Sequence, residues 1–425
     1  MAAASRDKAG RPIVAVTGMG MVTSLGVGTS DNWAKLTGSV SGIKRISRFP
    51  IEGLRTTIAG TADDVYRDHM SPAQLSERMG LIAGEEAIAQ SGIGAKRRFP
   101  GPLYLAPPPL EVEWADRLKM AEMAGTDGDT GYPDLVRVAG DFGAVHGPFK
   151  FDIIGDRLAE HFGTAGSPVS LTTACASGAS AIQLGVEAIR RGECEAALAI
   201  GADGSLTPES LIRFSLLSAL STQNDPPERA SKPFSKNRDG FVLAEGAAAL
   251  VLESLDHARA RGARVIGVIE GCGEKSDSFH RTRSSPDGKP IIACMRNALI
   301  DAGVGPEQVD YINAHGTSTP ENDKMEYLGV SAVFGEHIRG IPISSNKSMI
   351  GHALTAAGAV EAAFTLLTLE HQRIPPTINH QIPDPTIVLD VVPNVARDAN
   401  VRRAISNSFG FGGQNVCLVM TREPA

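Results

Sequence analysis

The sequence predicts an α/β protein built from two similar halves, each with a covered sheet, and three observations carry this. Apolar β-branched runs that end in glycines, PIVAVTGMGMVTSLG at residue 12 and ARVIGVIEGCGEKSD at residue 263, read as buried opening strands. Each is followed much later by a closing strand pair, RDGFVLAEGAAALVLESL from residue 238 and AISNSFGFGGQNVCLVM from residue 404. Each half also holds one helix of small, uncharged residues. The first begins near Cys175, with no charge from Cys175 to Val186. The second, KSMIGHALTAAGAVEAAFTLLTL, begins at Lys347, with none from Ser348 to Val360. Helices uncharged on every side are buried centrally, so the two are expected to meet between the halves.

The chain has 425 residues, enough for one large two-part domain. The boundary is expected near DHARARGAR, giving an N-terminal half over 12–257 and a C-terminal half over 258–421. The proline-rich stretch at about 100–150, opening GPLYLAPPPLEVEW, reads as an insertion between core elements, a lid or an interface piece.

Composition narrows the function classes. A net charge of −7 argues against general nucleic-acid binding. Pairs such as Lys44-Arg45, Arg97-Arg98, Arg190-Arg191 and Arg402-Arg403 read first as solvated faces. Five widely spaced cysteines with no C-x-x-C suggest neither a disulfide framework nor a zinc ribbon, and fit a reducing compartment. The opening residues have no apolar core of a secretory signal, and no uncharged apolar run approaches the roughly 18 residues of a membrane span. A cytoplasmic, soluble protein is expected. The Gly18-x-Gly20 pair invites a dinucleotide reading, but the third glycine and the acidic residue about 20 positions on are out of register.

Four segments can carry chemistry. Cys175, in TTACASG, opens a helix; the unpaired N–H groups there should lower its thiol pKa, making it a nucleophile or else a buried structural cysteine. His315 ends the strand-like VDYINA, the place where α/β folds put their sites, with Thr317 and Thr319 offering hydroxyls. His352 lies at the start of the second buried helix, five residues after Lys347. A lysine there needs a partner, since an unpaired buried charge is costly; Glu361, Asp323 or a substrate carboxylate would serve. The loop SFGFGGQN can bring backbone N–H groups to a ligand, or it is a tight strand turn. One thiol and two histidines could then converge where the halves meet. A zinc site made by the same three groups is the rival reading, without a close ligand pair to support it.

Taken together, TTACASG, NAHGTSTPENDKMEY, SSNKSMIGHALTAAGAVEA and SNSFGFGGQN, with ALSTQNDPPERASKPFSKNRDGFVLAEGA and KSDSFH, resemble the elongating β-ketoacyl-acyl-carrier-protein synthases. The resemblance runs from about Ile13 to Met420 and implies a thiolase-like fold with layers α-β-α-β-α. It implies a decarboxylating Claisen condensation that lengthens an acyl chain by two carbons. Cys175 would accept the acyl group, and His315 and His352 would assist malonyl decarboxylation. The backbone N–H groups of Cys175 and Phe411 would form an oxyanion hole, and Phe411 would be a gate. Lys347 would order the histidines with Glu361 and Asp323 as supporting carboxylates. Thr317 and Thr319 would hold the phosphopantetheine arm, with Phe214, Phe409 and Phe411 as further substrate-binding residues. It implies acyl carrier protein as partner, a homodimer, and neither cofactor nor metal. A catalytically silent chain-length partner and a thiolase-like enzyme of coenzyme A esters are the alternatives. The segment GPLYLAPPPLEVEWADRL departs from the family pattern and resembles a proteobacterial subgroup linked to very-long-chain acyl groups of lipid A. Asn346 and Gln414 stand where threonine is common.

Overall fold

The computed structural model describes residues 5–422 except 69, 96, 125–135 and 137. The strands that matter are β1 (Val14–Thr23), β2 (Leu103–Ala106), β3 (Val169–Ser170), β4 (Ala196–Asp203), β5 (Gly246–Ser254), β6 (Gly267–Ser276), β7 (Tyr311–Asn313), β8 (Ile343–Ser344), β9 (Arg403–Phe409) and β10 (Gln414–Thr421). They lie in the order β8-β7-β9-β10-β6-β1-β5-β4-β2-β3, with Gly26–Val27 pairing beside β1.

This order contains a repeat. Counted from its own first strand, each half runs first, fifth, fourth, second, third. The hand of pairing repeats too. β1–β5 and β5–β4 are antiparallel and β4–β2 and β2–β3 parallel. β6–β10 and β10–β9 are antiparallel and β9–β7 and β7–β8 parallel. The two sets join through β1 and β6, paired at Val14–Ile269, Ala15–Val268 and Val16–Gly267.

The helices that matter here are α1 (Pro72–Ser91), α2 (Ser177–Arg190), α3 (Pro208–Leu216), α4 (Lys289–Ala302), α5 (Pro320–Phe334) and α6 (Ala357–His371). α1 packs outside β1, β4 and β5, and α4 outside β6 and β10 with α5 alongside. α1 starts in a capping box, Ser71 accepting from the Gln74 N–H while Gln74 accepts from the Ser71 N–H. Between the sheets lie α2 and α6, giving the five layers α-β-α-β-α. Their contact explains the small residues. A Cβ on Gly178 would stand 2.5 Å from the Ala359 nitrogen, and one on Gly358 would stand 2.6 Å from the Ala179 nitrogen. The same Gly-Ala step is used reciprocally. α6 is buried from Ala357 to Leu369, and side chains such as Phe364 and Leu366 contribute about 2–3 kcal/mol each relative to exposure.

Three local expectations need correction. Residues 103–106 are not part of an insertion; they form β2, inside the sheet beside β4. The apolar run is only four residues long and is hidden among prolines. The Trp114–Met123 helix that follows lies outside the layers, and part of the expected insertion, 125–135, lies outside the described residues. The strand pair expected in 238–255 is a single strand, β5. Phe241 and Leu243 instead make isolated bridges to Leu220 and His352, and Ala244 one to Gly60. The helix expected to run on from Lys347 is broken. A four-residue turn, Lys347–Ile350, ends at Gly351 (φ 77°), and α6 begins only at Ala357. Gly18 and Gly20, out of register for a dinucleotide loop, serve packing instead. They lie within β1, where a Cβ would stand 2.0 Å from the Ala87 carbonyl oxygen and 2.2 Å from that of Ala83 on α1.

Candidate active site

Cys175 sits two residues before α2, on a backbone turned by Ala174 at φ 51°. Ser177 ties this turn, its hydroxyl accepting from the Thr173 N–H (2.8 Å) and donating to the Ala174 carbonyl (2.6 Å). Opposite lies the β9–β10 turn. Gly412 and Gly413 both have φ 88°, which favours glycine, and the Phe411 backbone N–H is directed at the Cys175 sulfur. The Cys175 thiol and the Phe411 N–H are therefore brought together from the two halves.

The helix start does not win the thiol's proton balance. Burial pushes the Cys175 thiol up to about 11; the Phe411 N–H and the Lys347 charge oppose this only in part. The lowering expected from position alone is outweighed by desolvation, so the resting group is a neutral thiol.

His315 and His352 share the same cavity wall, ring centroids 5.4 Å apart and nearly edge-on. His315 follows β7 directly. Its N–H donates to Glu326 (2.9 Å), as does that of Gly316 (2.7 Å). His352 is not on a helix. It is extended, its N–H donating to the Val242 carbonyl (2.8 Å) and its carbonyl accepting from the Ala244 N–H (3.0 Å). Gly351 makes that break, and the segment that failed to form a strand is what holds the histidine. Burial, with the positive charge of Lys347 behind it, drives both imidazoles well below their ordinary pKa; His352 adds to the effect on His315. Both are neutral at pH 7, each able to offer one N–H.

Lys347 is buried and forms an ion pair with Glu361 of α6, while its Nζ donates to the His315 carbonyl (2.7 Å). Burial holds Glu361 up at about 7. Asp323 is elsewhere engaged. It accepts from the backbone N–H groups of Phe234 (2.8 Å) and Ser318 (3.2 Å) and lies 3.5 Å from Arg238, shaping the turn after His315 without touching Lys347.

Thr317 and Thr319 line the cavity, their hydroxyls 2.9 Å apart, and Thr319 also caps α5 by accepting from the Asn322 N–H. Phe409 packs 5.7 Å from His315. Phe214 and Phe411 line both this narrow cavity, of about 70 Å³, and a second one of about 440 Å³ that also reaches Cys175. The second has the size of a small-molecule site, and Pro109–Glu113 and Arg213 lie along it.

Three residues escaped sequence reasoning. Glu326, three positions after Asp323 on the same helix, fixes the His315 loop and accepts from Asn407 (3.2 Å); burial holds it up at about 7. Its i,i+3 spacing from Asp323 was the available signal. Asp203, at the end of β4, accepts from the Thr355 N–H and hydroxyl at 3.1 and 2.8 Å. Phe241 stands edge-on 5.3 Å from His352. Among the described residues, no group of three or more His, Cys, Asp or Glu is arranged to hold a metal ion, and no helix is long and apolar enough to cross a membrane.

Comparison with known proteins matches this arrangement. Residues 12–258 match the family described as beta-ketoacyl synthase, N-terminal domain, and residues 266–381 the beta-ketoacyl synthase, C-terminal domain. A protein of Coxiella burnetii named 3-oxoacyl-[acyl-carrier-protein] synthase 2 is 36% identical, covering 96% of this chain and 98% of its own length. A putative polyketide beta-ketoacyl synthase 1 of Streptomyces cyaneus is 35% identical, covering 96% and 97%. A solved type II polyketide ketosynthase, bound to its acyl-carrier protein and a hexaketide, superposes with a TM-score of 0.85 at 33% identity, over 97% of this chain and all of that one. With thiol, histidines and glycine turn placed on two repeated α/β halves, the chain belongs to the β-ketoacyl synthase family.

Proposed function

We propose that this chain is a 3-oxoacyl-[acyl-carrier-protein] synthase, an acyltransferase that elongates fatty acyl chains by decarboxylative condensation with malonyl carrier. The observation that carries this is one cavity in which the Cys175 thiol faces the Phe411 N–H while two neutral buried histidines line the wall.

In the first stage the Cys175 sulfur attacks the carrier thioester. The oxyanion forms against the N–H groups of Cys175 and Phe411, and the carrier thiolate leaves with the proton that the cysteine gives up. Because burial opposes a free thiolate, proton loss and attack proceed together. In the second stage the malonyl carboxylate departs as carbon dioxide. The electron pair of the broken bond becomes an enolate, whose oxygen accepts N–H donation from His315 and His352. Two neutral imidazoles can do this without a proton changing hands. The enolate carbon attacks the acyl-Cys175 thioester, the new carbon–carbon bond forms as the carbon–sulfur bond breaks, and the Cys175 thiolate leaves and takes a proton from water.

Lys347, Glu361, Glu326 and Asp323 act as positioning residues in this reading. Thr317, Thr319, Phe214, Phe409 and Phe411 are assigned to substrate, with Phe411 as gate. We divide the chain into halves at 12–257 and 258–421; the repeated strand order supports this. Acyl carrier protein delivers both substrates, a second copy of the chain is the expected partner, and the cytoplasm is the expected compartment. The departing segment, Pro109–Glu113, borders the larger cavity, so we assign acyl-length selection to it. An extension series that stops at medium chains would remove very-long-chain synthesis from the account. The test of the activity is carbon dioxide release and 3-oxoacyl product from acyl and malonyl carrier. Both are expected together, and release of neither by the full chain would overturn the reading.

A further inference from the structure

The narrow cavity does not end at the two threonines. His280, Arg281, Thr282, Arg283 and Ser284 line it as well, with Glu321 and Asn322. Arg281 and Arg283 are exposed, and among the described residues neither guanidinium has a hydrogen-bond or acidic partner. That sets them apart from Arg48, Arg190, Arg238, Arg261 and Arg403, each paired with a carboxylate. The backbone beneath them is tied down. Asp277 accepts from the N–H groups of Phe279 (2.9 Å) and Ser285 (2.7 Å), its own N–H donates to the Gly413 carbonyl (2.7 Å), and the Gly412 N–H donates to the Arg281 carbonyl (2.7 Å). Two free guanidinium groups are thus presented on a fixed loop that lines the same cavity as the Cys175 thiol.

Resting on the ketosynthase reading, we propose that Arg281 and Arg283 form a phosphate subsite that holds the phosphodiester of the carrier's phosphopantetheine arm while its thioester reaches Cys175. Guanidinium is suited to this. Its planar fork gives two donors to the phosphate oxygens, and the charge is independent of pH in the working range. Glu321, which lines the same cavity, carries charge of the phosphate's own sign and does not compete as a phosphate donor.

The test removes the carrier protein, so that docking plays no part. Loading of Cys175 is measured by intact mass with acyl-phosphopantetheine and with acyl-pantetheine, which differ only in the phosphate. The native chain should prefer the phosphorylated thioester by about tenfold at low salt, the scale of a charge-assisted pair of hydrogen bonds. This preference should fall with ionic strength. In R281A/R283A it should shrink to about twofold or less, and R281K/R283K should keep part of it, since lysine retains charge but not the fork. Both substitutions leave the Arg281 carbonyl bond intact. No preference in the native chain, or an undiminished one in R281A/R283A, would overturn the subsite and leave the ketosynthase reading standing. Failure of both thioesters to load Cys175 would overturn that reading and the subsite with it.

Discussion

Replacing Lys347 by methionine removes a buried cation from between the Glu361 carboxylate and the backbone of the His315 loop. Breaking a buried pair costs about 3–5 kcal/mol when the remaining charge has no escape. Here it has one. Burial already holds Glu361 up at about 7 with Lys347 opposing the rise, so without the lysine its value climbs further and the group is neutral at pH 6. What remains at pH 6 is a His315 carbonyl and a carboxyl group without their shared donor, about 1–3 kcal/mol. A folded-state pKa raised above the unfolded value gives stability that is intact at low pH and lost as pH rises through the folded value, by about 1.4 kcal/mol per unit. The deficit of K347M should therefore grow between pH 7 and 9. Lys347 also helps to depress both histidines, so the acid limb of malonyl decarboxylation should move to higher pH. Denaturant unfolding at pH 6, 7.5 and 9, and carbon dioxide release across the same range, check both. A deficit equal at pH 6 and 9 with an unmoved acid limb would refute the reasoning.

Further expected outcomes concern other links. Cys175→Ala should abolish condensation yet leave malonyl decarboxylation measurable, while His315→Ala or His352→Ala should slow carbon dioxide release and leave some acyl transfer; full condensation by His352→Ala would remove its assignment. Gly358→Val drives side-chain atoms into the Ala179 backbone, 2.6 Å from the first of them, and should cost about 3 kcal/mol or more in unfolding experiments. Glu326→Gln should be less stable than the native chain at pH 5 but nearer to it at pH 8. The native carboxylate, held at about 7 by burial, loses stability of the order of 3 kcal/mol over that rise and the amide does not. Asn346→Thr should raise stability by about 1 kcal/mol, because neither amide atom of the buried Asn346 has a hydrogen-bond partner among the described residues.

The groups legible in the sequence are those announced by their own neighbours. Cys175 stands among small residues before a helix, His315 at a strand end, and the glycines of the last turn within one hairpin. The two uncharged helices betrayed the central layer, since only buried helices can do without charge. What the sequence hid depends on residues far away along the chain. Glu326 and Asp203 look like ordinary helix and strand-end acids until their partners are seen, Asp203 meeting Thr355 across 152 positions. The break before α6 is set by Gly351 lying against Ala244, a contact that no local pattern foretells, and it moves His352 from a helix onto an extended segment. The thiol's direction of shift was misjudged for the same reason. Position before a helix is local, whereas burial is supplied by the other half of the molecule.

The measurement that tests the central claim most directly is mass spectrometry of the full chain after incubation with acyl-carrier thioesters from short to very long chains, followed by peptide mapping. The account expects a single acyl adduct, mapped to Cys175 and lost in Cys175→Ala, with one range of lengths loaded best. An adduct on another residue, or none at any length, would contradict it.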